Sequence, residues 1–264
     1  MRWRLISGAL LWICAAQGSA NAQETDHSFF LWSQNSISVL PYGSGFTVDS
    51  SEQAALTFEH SHASLIGDMY LFIDYYEYLN DGGGNNWYGE IGPRLSLGKV
   101  FGEDFSIGSS SFGVTDVLIA TQYERGSDAD EAEAALIGAG FDLALPNFSF
   151  AQLNVYARSD LSGATPAGFD DVQVSMSAAY PFEIGKSRFL ADGYFDWILG
   201  INNQVPSFHF NPQIKLDLGN YWGNPDAIFV GLELDFWWNK YQIESTDAFQ
   251  TDQQAASLMV QMRF

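Results

Sequence analysis

The chain has one cysteine in 264 residues, which leaves no intramolecular disulfide and no cysteine-built metal centre. It is equally short of positive charge. Only 11 lysines and arginines stand against 32 aspartates and glutamates, a formal charge of −21. Such a chain repels a polyanion, which all but excludes nucleic acid as a partner. Prolines number only 8, and no segment supplies the ~20 consecutive apolar residues that a spanning helix needs. What the chain does have is 47% hydrophobic residues, 16% aromatics and 25 glycines. That composition is not that of a disordered tail, and it favours β-structure over a helical bundle.

Residues 1–22 read as an export signal. Arg2 and Arg4 give a positive start, Leu5 to Ala16 is a short, mostly apolar run, and Ala20-Asn21-Ala22 offers the small-x-small cleavage pattern. Cys14 lies inside the apolar run behind Ile13, where a lipoprotein would need a small residue, so it is expected to leave with the peptide. Residues 23–264 are then expected to form one domain in an exported protein.

That domain alternates with a period of two along most of its length, the signature of strands. Leu258, Val260, Met262 and Phe264 share one face; Ser257, Gln261 and Arg263 share the other, with Met259 as an apolar exception. Val172, Val174, Met176, Ala178 and Tyr180 alternate with Gln173, Ser175, Ser177 and Ala179. Turn signals divide the chain into about twelve strands, near 34–42, 53–62, 65–77, 87–98, 112–124, 134–145, 148–158, 170–181, 187–199, 207–218, 226–239 and 254–264. Connections such as His62–Leu65, Pro146-Asn147 and Phe182–Lys186 are tight. Others, including 80–86 and 126–131, are longer and rich in Gly, Asp and Asn. Short turns at one end and long loops at the other is the pattern of an outer-membrane barrel. Lys99–Ser111 breaks it, being long on the turn side.

A soluble sandwich would alternate in the same way. Three features favour a barrel in lipid: long apolar faces, opposite faces that mix acids with aromatics, and aromatic pairs at strand ends. Those pairs, Phe29-Phe30, Trp87-Tyr88, Tyr221-Trp222 and Trp237-Trp238, suit interfacial girdles. Phe264 closes the last alternating strand and is expected to serve as the signal for the outer-membrane assembly machinery.

Several strand-sized blocks carry a family resemblance. Glu90-Ile-Gly-Pro-Arg-Leu-Ser-Leu-Gly98 followed by Gly102-Glu-Asp-Phe-Ser-Ile-Gly108, Ile137-Gly-Ala-Gly-Phe-Asp-Leu143, Leu153-Asn-Val-Tyr-Ala157, Tyr194-Phe-Asp-Trp197 and the opening Phe29-Phe-Leu-Trp-Ser-Gln34 resemble the nucleoside-specific (Tsx-type) channels of Gram-negative outer membranes. The resemblance implies a monomeric all-β, twelve-stranded transmembrane antiparallel barrel that admits nucleosides and deoxynucleosides by diffusion, without a cofactor. It also accounts for the long connection at Lys99–Ser111.

A nucleoside is a flat base on a neutral, hydroxyl-rich sugar. A selective pore should offer it aromatic faces and hydrogen-bonding groups while keeping affinity low enough for passage. The inward faces supply candidates: Asp68, Tyr70, Phe72, Asp74 and Tyr76 on one strand; Asp192, Tyr194 and Asp196 on another; Glu233, Asp235 and Trp237 on a third. The competing role for these aromatics is to fill a narrow lumen. Glu90 and Arg94, four apart on one face, are expected to pair across strands and brace the wall, and Lys215 has Asp217 nearby for the same purpose.

Other constellations are weaker. His62 and Ser64 share a strand face and could form the nucleophile–base pair of an outer-membrane lipid hydrolase, but no orienting group or oxyanion donor accompanies them. Asp128, Asp130, Glu131 and Glu133 lack the glycine and glutamate spacing of a calcium loop; a solvated loop, or ions bridging it to lipopolysaccharide, are the alternatives. Histidines 27, 60, 62 and 209 are too dispersed to suggest a metal site, and Gly138-x-Gly140 eases crowding in a curved wall. A general small-solute porin and a surface adhesin or phage receptor are the functional rivals.

Overall fold

The computed structural model describes residues 29–80, 83–127, 133–162 and 168–264. The export signal with Cys14, His27, and loop residues Asp128, Asp130 and Glu131 lie outside the described residues. The strands are β1 (Phe30–Ser44), β2 (Glu52–Ser64), β3 (Gly67–Tyr78), β4 (Gly84–Ser96), β5 (Ile107–Ser109), β6 (Phe112–Gly126), β7 (Glu133–Ala144), β8 (Phe150–Asp160), β9 (Asp171–Ile184), β10 (Ser187–Ile198), β11 (Ser207–Asp217), β12 (Ile228–Trp238) and β13 (Gln253–Arg263). Each long strand pairs with its sequence neighbour. β1 pairs with β13, and β4 pairs directly with β6. The result is a closed antiparallel barrel of twelve long strands plus the short β5. Closure leaves no open edge among the twelve long strands and no second sheet among the described residues, which removes the sandwich alternative.

The period-two pattern becomes an inside and an outside. On β13, Gln253, Ala255, Ser257, Met259 and Gln261 are buried, while Ala256, Leu258, Val260 and Met262 are exposed. The register carries this parity around the wall, as in Phe229↔Gln261 and Val230↔Val260. The exposed set is the lipid face. Parity also corrects one expectation. Adjacent residues in a strand point to opposite sides, so Trp87 and Trp238 face out, whereas Tyr88 and Trp237 face the lumen. Outside, Trp238 meets Phe208 at 5.4 Å at the loop end. Phe148 meets Tyr180 at 5.2 Å at the turn end, and Phe182 stacks on Phe189 at 5.2 Å.

The long connection on the turn side has its own structure. A helical turn, α1 (Leu97–Phe101), is capped by Ser96, whose hydroxyl accepts from the Lys99 N–H, and it stops at Gly102 in a left-handed conformation. The chain then returns as β5, with Ile107↔Val114 and Ser109↔Phe112. β5 therefore gives β6 a partner beyond the point where β4 ends.

Two irregularities bend the wall. Pro41, which cannot donate to a ladder, sits at a bulge between Leu40 and Gly43. Gly193 has φ 144°, and a Cβ there would lie 2.2 Å from the Asn211 carbonyl oxygen. Gly193→Val is expected to destabilise the barrel by about 1–3 kcal/mol; an unchanged urea midpoint in lipid vesicles would remove this account of the bend.

Candidate functional site

The inward side chains fill the barrel with polar networks. Near the turn end, Arg94 reaches two neighbouring walls: Nε and Nη2 donate to Asp68 at 2.8 and 2.7 Å, and Nη2 also donates to Asp142 at 2.7 Å. Lys215 Nζ lies 2.7 Å from Asp192 and donates to Gln213 and Gln261 at 2.9 and 3.3 Å. Arg158 joins Glu124 at 2.8 Å and Gln173 at 2.7 Å.

These partners correct the expected ion pairs. Arg94 pairs with Asp68 and Asp142, not with Glu90, and Lys215 pairs with Asp192, while Asp217 accepts from Arg188 at 3.2 Å. Residues four apart along a strand are separated by ~13 Å. Residues in register on adjacent strands are ~5 Å apart, as Asp68↔Arg94 are here. Bracing therefore runs across strands.

The middle of the lumen is built differently. Its carboxylates rest mainly on neutral donors. Tyr70 donates to Glu59 at 2.7 Å, Tyr76 to Asp74 at 2.8 Å, and Tyr88 and Gln122 to Glu90 at 2.8 and 2.9 Å. Gln213 donates to Glu233 at 2.8 Å, Gln253 to Asp235 at 2.7 Å, and Ser175 and Gln173 hold Asp196.

Two aromatic groups stand among these acids. On β3 and β4, the Phe72 ring lies 6.0 Å from Tyr70 and 5.9 Å from Tyr88. On β10 to β12, His209 stacks on Trp237 at 3.8 Å with Tyr194 edge-on at 5.2 Å. In a twelve-strand ring these strands face each other. Glu90 is within electrostatic reach of Asp196, Asp74 of Glu233, and Tyr76 of Tyr194. The lumen is thus narrow at mid-height, walled by ring faces and by oxygens able to accept from hydroxyl groups.

The eleven residues expected on the lumen face all project inward. Tyr70, Phe72, Asp74, Tyr76, Tyr194, Asp196, Glu233 and Asp235 surround this middle zone, Trp237 lies at its loop end against Tyr241 at 5.7 Å, and Asp68 and Asp192 are held in ion pairs nearer the turn end. Trp237 has one face covered by His209. Sequence reasoning missed Tyr88, Gln122, His209 and Gln213. Parity alone places all four inside.

The loop end is narrowed by a turn at Lys240–Gln242, in the β12–β13 connection. Lys240 is 5% exposed, and its Nζ donates to Asp49 at 2.8 Å, Gln253 at 2.9 Å and the Thr47 carbonyl at 3.3 Å. Gln242 reaches the other way, to Asp171 and the Val205 carbonyl, both at 3.1 Å. The turn therefore links the β1–β2 loop to β9 and the β10–β11 loop.

His62 and Ser64 do not meet. The Ser64 hydroxyl donates to the Gly67 carbonyl at 3.1 Å within the turn, and His62 is engaged by His60. Phe264 ends the chain opposite Asn35, with backbone bonds of 2.9 Å in both directions.

The chain is similar to known outer-membrane proteins. The family model described as "Nucleoside-specific channel-forming protein, Tsx" matches residues 30–264. A relative named "Outer membrane protein OmpK", from Vibrio parahaemolyticus, is 28% identical over 204 residues, 75% of this chain and 74% of its own length. Among solved structures, a "KdgM porin" aligns over 87% of this chain and 99% of its own with TM-score 0.47 and 10% identity. The outer membrane phospholipase A from Escherichia coli aligns over 87% and 95%, with TM-score 0.45 and 7% identity.

Proposed function

The chain belongs to the family of nucleoside-specific channel-forming proteins, Tsx, and from that premise of an outer-membrane channel we propose that it conducts nucleosides and deoxynucleosides by passive diffusion. The observation that carries the reading is the mid-lumen zone. There Tyr70, Phe72 and Tyr88 face Tyr194 and its neighbours across a set of carboxylates held on neutral donors. Aromatic faces take the base. Stacking contributes about 1–3 kcal/mol per base in single-strand recognition, weak enough for release from any one platform. The carboxylate oxygens accept from sugar hydroxyls. Acids outnumber bases along the wall, which disfavours phosphorylated solutes.

The chain acts as a monomer in the Gram-negative outer membrane, after loss of residues 1–22 and insertion by the assembly machinery that reads Phe264. Lipid and lipopolysaccharide surround it, and no cofactor takes part.

The test is flux of labelled thymidine and adenosine into proteoliposomes. Replacing Tyr70, Phe72 and Tyr194 together by alanine is expected to weaken nucleoside block of the channel current by about tenfold or more. Wild-type flux that is equal for sugars and nucleosides, or unchanged in the triple variant, would identify a general porin instead.

A further inference from the structure

His60 and His62 leave the lumen chemistry untouched because they face outward. On β2 the exposed residues Leu56 and Phe58 fix the outer parity, and His60 and His62 continue it toward the turn. Histidines are uncommon on a lipid-facing stripe, and these two are organised. His60 Nδ1 lies 2.9 Å from Asn35 Oδ1, and His60 Nε2 lies 3.0 Å from His62 Nδ1.

Their height on the barrel places them near its turn-side rim, where the Phe30 ring stands edge-on to His62 at 4.7 Å. β13 ends at Arg263, and Phe264 lies opposite Asn35. β1 and β2 continue past that point, to Phe30↔Ser64. Asn35 pairs with His60 and Ser33 with His62. Both histidines thus sit at or beyond the level of the C-terminal carboxylate, on the turn-side margin of the membrane.

The hydrogen-bond chain sets the tautomers. The Asn35 carbonyl oxygen has only lone pairs to offer, so His60 donates Nδ1–H to it and presents a bare Nε2. Proteins prepare a histidine for a metal in the same way, holding the far nitrogen on an oxygen acceptor so that the near one offers its lone pair, which here meets His62. The His62 nitrogen converges on the same point. Two metal–nitrogen bonds of 2.0–2.1 Å enclosing a right angle place their nitrogens ~2.8–3.0 Å apart, whereas a tetrahedral angle requires ~3.3 Å. The 3.0 Å span of the metal-free hydrogen bond already brings the two nitrogens within reach of adjacent corners, and the imidazole ligands and the affinity order of divalent ions favour Cu(II) and Ni(II).

We propose that His60 Nε2 and His62 Nδ1 form a two-histidine site for a divalent transition-metal ion of the copper–nickel class, with Asn35 positioning His60. This departs from the expectation that the histidines are too dispersed for metal. Two residues apart on one strand face is close enough to chelate. On binding, neutral His62 moves its proton from Nδ1 to Nε2, and both rings turn so that their lone pairs meet the ion ~1.4 Å to the side of the line between the two nitrogens. No group of three or more histidine, cysteine or acidic side chains surrounds this point among the described residues, so the remaining corners belong to water and the ion exchanges readily.

The experiment is titration of the purified full-length barrel in detergent with Cu(II), read by electron paramagnetic resonance and calorimetry. One saturable site with two imidazole nitrogens is expected, with Zn(II) binding more weakly. His60→Ala and His62→Ala should each reduce the nitrogen count to one and abolish saturable binding. His62→Gln, which keeps the side chain's bulk, should behave the same way. Asn35→Ala, which keeps both ligands, should weaken binding about tenfold. No saturable Cu(II) binding by the wild type, or a signal unchanged in both histidine variants, overturns the site.

Discussion

Arg94→Ala is expected to lower the stability of the folded barrel by about 3–5 kcal/mol, the cost of removing one partner from a buried charge cluster. Arg94 has a side chain only 4% exposed, while Asp68 and Asp142 are 21% and 31% exposed. Its guanidinium serves both carboxylates, and its removal leaves two acids on neighbouring parts of the wall with no guanidinium between them. Arg94→Lys keeps the charge but cannot fork toward two strands, so it should fall between alanine and wild type. Adding Asp68→Asn to Arg94→Ala should restore part of the loss, because one of the stranded charges is then gone. Urea titration in lipid vesicles, followed by tryptophan fluorescence, measures all four proteins. A loss of no more than about 0.5 kcal/mol in Arg94→Ala would mean that lumen water satisfies both acids and that the cluster is not a brace.

This cluster also marks the limit of what the sequence discloses. Alternation is a local property, and in a barrel it fixes which side chains point inward. Asp68, Tyr70, Phe72, Asp74 and Tyr76 could be assigned to one face without knowing any partner strand. The twelve long strands and the unequal lengths of the two sets of connections follow from the same local signals. Pairing across strands depends on register, which no single segment carries. Glu90 and Arg94 look like partners on paper because they share a face, yet Arg94 is set against Asp68 and Asp142 by β3–β4 register and by the reach of the guanidinium past β6 to β7. The same gap hid His209, whose stack on Trp237 arises from the β11–β12 register His209↔Trp237. It also hid the role of Lys240. One lysine in an acidic loop gives no sign locally that it will fold inward.

Lys240→Ala is expected to open the loop end of the channel, raising single-channel conductance and weakening nucleoside block. Two opposing energies meet in this turn. Asn239, Tyr241 and Gln242 have φ of 51°, 60° and 57°, left-handed values that side chains other than glycine adopt at a cost. At the low end of ~1–3 kcal/mol each, the three together work against the inward fold. What holds the turn in place is Lys240. Its ammonium makes three hydrogen bonds, to Asp49, Gln253 and the Thr47 carbonyl, at ~1.5–3 kcal/mol for a bond to a charged group. It also lies 4.9 Å from the Tyr241 ring centre. Removing that group leaves the strained backbone to the Gln242 bonds, the Tyr241 hydroxyl on Asp49 at 3.2 Å and the Asn239 side chain on the Pro206 carbonyl at 3.0 Å, so the turn loosens and relaxes away from the lumen. The Lys240→Ala/Gln242→Ala double variant should open further, and Lys240→Arg should stay close to wild type because its charge still reaches Asp49. Planar-bilayer recording gives the conductance, and hydrogen exchange across residues 239–246 reports the release directly. If exchange accelerates but conductance and thymidine block do not move, the turn folds inward without limiting passage. The narrowest point would then lie lower, between Tyr70, Phe72 and Tyr88 on one wall and Tyr194 on the other.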